Sequence, residues 1–107
     1  MGQHSYALAR DANEQEIIDD LLEGGCSVHR AHEYIDLIVG LRGVTYLLEV
    51  KLPPGPEGGT SHSRLTPKEM KFHGEHKGAK AVVRCKEDAR RAVGLLPSAI
   101  VSKGCHE

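Results

Sequence analysis

The stretch YIDLIVGLRGVTYLLEVK, residues 34–51, decides how the rest of the chain is read. Its apolar runs, Leu37-Ile38-Val39 and Tyr46-Leu47-Leu48, flank Gly40-Leu41-Arg42-Gly43, whose two glycines tolerate a tight turn. The segment therefore reads as a β-hairpin with apolar residues on both faces, which belongs at the centre of a sheet. Asp36, Glu49 and Lys51 interrupt it where charge is expensive. Side chains alternate along a strand, so Glu49 and Lys51 share a face with Thr45 and Leu47, while Val44, Tyr46, Leu48 and Val50 line the other. Pairing Val39 with Val44 sets Asp36 opposite Leu47 and diagonal to Glu49, on the same face. Two hard carboxylates with little that is soft beside them make a Mg²⁺-type site and not a zinc one. An ammonium next to such a site, here Lys51, can orient a water or stabilise developing charge, and these are the parts needed for phosphodiester hydrolysis. The plain alternatives are that Glu49 and Lys51 form an ordinary strand end emerging into solvent, and that Asp36 is a turn residue starting its strand.

Outward from the hairpin, the chain alternates element types. In DANEQEIIDDLLEGG (residues 11–25), Ile17, Ile18, Leu21 and Leu22 recur at helical spacing, Gly24-Gly25 supplies a stop, and Asp11 with Glu14 has capping-box spacing. CSVHRA (26–31) is a short strand candidate. LPPGPEGGTSHSR (52–64) breaks all periodicity and reads as a flexible loop. Thr66-Pro67-Lys68-Glu69 then has the form of a helix start, with Thr66 as cap, Pro67 as first residue and Glu69 closing a capping box; that helix should end near Gly78. AKAVVRC (79–85) reads as a strand, and KEDARRAVGLL (86–96) as a last helix stopped by Pro97, with residues 97–107 as a tail. The order predicts an α/β fold, a small mixed sheet flanked by helices in three layers, in a single domain spanning residues 1–107.

The 107 residues suffice for one modest core. Apolar runs of four or five residues are far short of a bilayer span, and neither a signal peptide nor a myristoylation motif opens the chain. A soluble, intracellular protein without membrane contact is expected. Three scattered cysteines without a CxxC pair argue against a disulfide framework, and the seven histidines read as exposed polar residues, although His73 and His76 could share a helical face. The net charge of −1 hides an asymmetry: residues 1–51 carry nine acids against four bases, and residues 52–107 ten bases against six acids. The second half can present a basic face to a polyanion.

DLIVG followed by YLLEVK, preceded by NEQEI and followed by LTPKE, resembles the PD-(D/E)XK nucleases, and most of all their small stand-alone VRR-NUC type from phages and prophages. The resemblance runs from about Arg10 to Gly94. It implies a restriction-endonuclease-like αβββαβ core with a C-terminal helix added. It makes Asp36 and Glu49 metal ligands, the carbonyl of Val50 a further ligand, Lys51 the catalytic lysine, and Glu14 the first-helix glutamate that joins the site. It also implies a homodimer that cuts branched DNA, such as a four-way junction, with Mg²⁺ or Mn²⁺, in the cytoplasm of a phage host. Two positions depart from the pattern: Ile35 replaces the usual proline, and Glu69 stands where glutamine is common. Glu69 is thus either a capping residue or a site residue, and Glu14 has the same ambiguity with Asp11, though it lies on the stripe of Ile17 and Ile18.

Arg64, Lys68, Lys71 and Lys77 are expected phosphate contacts, joined by Lys80 and Arg84; such contacts position a backbone and do not read its sequence. With one Phe, three Tyr and no Trp, a stacking surface for single strands is not expected. The competing readings are a non-catalytic nucleic-acid-binding module that keeps the nuclease fold, and a small interaction protein docking through its acidic first helix.

Overall fold

The structure is a computed structural model that describes residues 2–31, 35–53 and 64–96, with backbone alone for 2–10. Seven elements follow one another: α1 (Gly2–Glu23), β1 (Ser27–Arg30), β2 (Leu37–Leu41), β3 (Val44–Val50), α2 (Pro67–Glu75), β4 (Lys80–Val83) and α3 (Lys86–Val93). The four strands form one sheet in the order β1-β2-β3-β4. The first three pair antiparallel and β4 runs parallel to β3, so the sheet is mixed and the fold is the α/β arrangement expected, an αβββαβ core with a further helix. A parallel neighbour requires a crossover, and the segment between Val50 and Lys80, which carries α2, provides it.

The hairpin turn is tighter than the sequence suggested. Leu41 pairs with Val44, leaving only Arg42 and Gly43 in the turn. Both have positive φ, 55° and 81°, as a type I′ turn requires. The register is consequently shifted by two residues from the expected Val39–Val44 pairing: Val39 faces Tyr46 and Leu37 faces Leu48. A two-residue shift preserves the face of every side chain, so the alternation argument survives. What changes is the partner, because continuing the ladder brings Asp36 opposite Glu49 and not Leu47.

One sheet face carries the core. Leu37 and Val39 of β2, Leu48 and Val50 of β3 and Val83 of β4 are buried against Ile17, Ile18 and Leu21 of α1 and Ala89 and Val93 of α3. Burying a side chain of this size contributes about 1.5–3 kcal/mol. The two helices are tied to each other by Asp20 and Arg90, whose carboxylate and guanidinium meet at 2.6 Å and 3.3 Å with both side chains nearly buried. The hydrogen bond that Arg90 donates to Asp20 holds its guanidinium above even its ordinary basicity. α2 contributes no buried residue and meets the opposite face of the sheet through Glu69.

Several boundaries differ from the reading of the sequence. α1 starts at Gly2, so Asp11 lies inside the helix and is not its cap. α2 ends at Glu75 and not near Gly78, because His76 turns to extended backbone. α3 stops at Gly94, which adopts the left-handed conformation and accounts for the end three residues before Pro97. Cys85 is disulfide-bonded while Cys26 is free, against the expectation from spacing alone, which says nothing about which cysteines the fold brings together. The loop of residues 52–64, apart from its ends, and the tail of 97–107 lie outside the described residues. No helix among the described residues is long and apolar enough to cross a membrane.

The turn gives a direct test of the register. Gly43→Ala should destabilise the protein by about 1–2 kcal/mol, because a Cβ is strained at positive φ. Arg42→Asn, which installs the preferred Asn-Gly turn, should stabilise it; chemical denaturation measures both.

Candidate active site

Asp36 sits just before β2 and anchors the end of the sheet in three ways. Its N–H donates to the Leu48 carbonyl at 3.2 Å, its carbonyl accepts from the Ala31 N–H at 2.8 Å, and its Oδ2 accepts from the Val50 N–H at 2.8 Å. The carboxylate thus takes the place of a main-chain acceptor where β3 leaves β2. Its carboxyl group lies within hydrogen-bonding range of Glu49, as the register requires. Glu49 and Lys51 are nearly fully buried, at 3% and 6% exposure, which rules out a strand end emerging into solvent.

Lys51 is fixed at its root and at its tip. Its N–H donates to the Val83 carbonyl at 3.0 Å, extending the parallel ladder. Its carbonyl accepts from Asn13 Nδ2 at 3.3 Å, and the same amide donates to the Arg84 carbonyl at 3.2 Å. The ammonium contacts Glu69 Oε1 at 2.9 Å and Glu49 Oε2 at 3.9 Å. Glu69 meanwhile closes the predicted capping box, accepting from Thr66 N–H at 2.8 Å while Thr66 Oγ1 accepts from Glu69 N–H at 3.2 Å. Glu69 is therefore both cap and member of the site.

Two carboxylates at the ammonium and a third, Asp36, beside Glu49 leave an excess of negative charge, and the site divides it unequally. Glu49 is pushed up to about 9, first by burial, then by its hydrogen bond to Asp36 and by the charges of Asp36 and Glu69. Burial pushes Glu69 the same way, but the Thr66 N–H and the Lys51 ammonium outweigh it and hold Glu69 below the usual carboxylate range. Lys51 lies closer to Glu69, at 2.9 Å, than to Glu49, at 3.9 Å.

No family model, curated protein or solved structure matches this chain.

The donor set suits a hard divalent cation. Every candidate ligand is an oxygen, and burial together with the neighbouring carboxylates raises Glu49, a shift that a bound cation would reverse. Among the described residues no three His, Cys, Asp or Glu side chains converge as a cage. Mg²⁺ does not need one, since it commonly takes one or two carboxylates and keeps several waters. Asp36 and Glu49 are the neighbouring carboxylates it could take.

The remaining expected residues are dispersed. Glu14, on α1, pairs with Arg30 of β1 at 3.6 Å. Its neighbour Asn13 is the α1 residue that reaches Lys51, and nothing in the sequence marked it, because an amide bridging two carbonyls has no pattern of its own. Lys68, Lys71 and Lys77 are exposed; the first two border a recess of about 320 Å³ with Phe72 and Glu75. Arg64, also exposed, lines an open groove of about 600 Å³ with Thr66, Met70 and Arg84. Thr66 belongs both to this groove and to the capping box with Glu69. His73 and His76 pack around Phe72, edge-on and stacked respectively.

Two outcomes follow. A proton held to about 9 in the folded protein, and released near 4.5 once unfolded, stabilises the fold only at low pH. In chelator, thermal stability should fall as pH rises through that window, and Glu49→Gln should flatten the slope. Asn13→Ala should cost about 1–3 kcal/mol in denaturant melts by leaving two carbonyls short of their donor.

Proposed function

We propose that this protein is a metal-dependent DNA endonuclease that hydrolyses phosphodiester bonds in branched DNA, four-way junctions included, as a homodimer of the stand-alone VRR-NUC type within the PD-(D/E)XK nucleases. The observation that carries the reading is the meeting of Asp36, Glu49 and a nearly buried Lys51 ammonium at one end of the central hairpin. Charged groups are retained at such cost where chemistry uses them. A divalent ion bound to Asp36, Glu49 and the Val50 carbonyl would supply Lewis acidity to a phosphate oxygen and to a water. Lys51 orients that water and stabilises charge developing on the phosphate. Asp36, locked by the Val50 N–H, keeps its carboxylate aligned with Glu49 without further reorganisation. The groove with Arg64 and Arg84, and the exposed Lys68 and Lys71, supply positive charge for contacts to the phosphate backbone. Symmetric cutting of a junction requires two sites related by a two-fold axis, which is the reason for two copies.

The departures from the nuclease pattern at Ile35 and Glu69 favour the second reading, a non-catalytic module that binds nucleic acid and keeps the fold. A panel of duplex, flap, splayed-arm and four-way DNA with and without Mn²⁺ separates the two. Cleavage of branched substrates is expected, with a fall of at least about 100-fold in Asp36→Ala and Lys51→Ala. Salt-sensitive binding without cutting under any divalent ion supports the second reading and sinks the first. Independently of cleavage, Mg²⁺ or Mn²⁺ should raise the melting temperature of the wild type and not of an Asp36→Ala/Glu49→Gln double variant.

A further inference from the structure

We infer that Glu69 is the positioning residue for the Lys51 ammonium, so that the first turn of α2 is the mount on which this lysine is aligned; its bearing on hydrolysis rests on the reading above. A lysine tip is a point charge on a flexible four-carbon stem, and fixing its backbone does not fix its nitrogen. Here β4 and α1 pin the main chain of Lys51, through Val83 and Asn13. The nitrogen is held by α2, at 2.9 Å from Glu69 Oε1, a full ångström closer than its approach to Glu49.

Glu69 has little freedom of its own. The oxygen that receives Lys51 also receives the Thr66 N–H at 2.8 Å, and the Glu69 N–H returns to Thr66 Oγ1. The helix start therefore dictates where the carboxylate stands, and the carboxylate dictates where the ammonium stands. Capping alone does not ask for this charge: a capping box is closed equally by Glu or Gln. An ammonium whose side chain is 7% exposed does ask for it. The two roles coincide in one side chain but differ in what they demand of it.

Glu69→Gln separates them. The Lys51 side-chain NH₃⁺ group, assigned by its loss in Lys51→Met, is followed by ¹⁵N-correlated NMR, where a held ammonium exchanges slowly with water. In the wild type the Lys51 signal should persist. In Glu69→Gln it should broaden away, while the circular dichroism spectrum stays that of the folded protein. Thr66→Ala, which removes a cap and leaves the ion-pair charge intact, should lower the melting temperature and keep the signal. On a cleaved substrate, Glu69→Gln should lower kcat by about 100-fold with KM little changed, the size of effect expected from misplacing a reacting group by an ångström. A Lys51 signal unchanged in Glu69→Gln, or an unchanged kcat, overturns the positioning role. A signal that persists in the wild type and is lost in Glu69→Gln, in a protein whose wild type cuts no DNA, establishes the hold of Glu69 on Lys51 and removes the nuclease reading instead.

Discussion

A turn of two residues, Arg42 and Gly43, sets the register between β2 and β3, and the charged end of the sheet depends on it. Counting back from that turn, Leu41 meets Val44, Leu37 meets Leu48, and the next step brings Asp36 to Glu49. The apolar members of the same strands enforce the choice. Leu37, Val39, Leu48 and Val50 must face α1 and α3, and a slip by one residue would turn all of them to the other side. Core packing and site assembly are thus one constraint expressed on the two faces of one hairpin.

The cost of the site is electrostatic. Asp36 and Glu69 each lie against the buried Glu49, with the one buried ammonium of Lys51 to balance the charge. The protein lowers the cost by retaining a proton on Glu49 and by pairing Glu69 with Lys51, two adjustments that push the neighbouring carboxyl groups in opposite directions. Replacing such a cluster with apolar residues of similar volume would commonly be neutral or stabilising. Its presence at the end of an otherwise well-packed hairpin is the physical reason to look for function there.

The cluster is also a meeting place of elements distant in the chain. α1 supplies Asn13, β4 supplies the Val83 carbonyl, and α2 supplies Glu69, all to the single residue Lys51. α2 buries no side chain of its own, so its position depends on this polar contact more than on hydrophobic area. The groove lined by Arg64 and Arg84 also includes Thr66, so it shares the start of α2 with the capping box that holds Glu69 against Lys51.

Much of this was legible in the sequence, for local reasons. Apolar periodicity marked α1, and the runs on either side of Gly40–Gly43 marked the hairpin. Thr66, Pro67 and Glu69 announced a capping box that formed as read. Alternation alone put Glu49 and Lys51 on one face, and it put Asp36 with them under either register, since the two differ by an even number of residues. Other features have no local signature. The exact partner of Asp36 depended on turn geometry, in which an arginine accepts a positive φ. The start of α1 at Gly2 overrode the apparent cap at Asp11. Glu14 was brought to Arg30, and Asn13, one residue earlier, to Lys51. Above all, the dual role of Glu69 was undecidable from spacing, because a capping glutamate looks the same whether or not a buried lysine waits in front of it. Sequence determines what each strand and helix can present; only the packing of α2 against the end of β3 decided which charges meet.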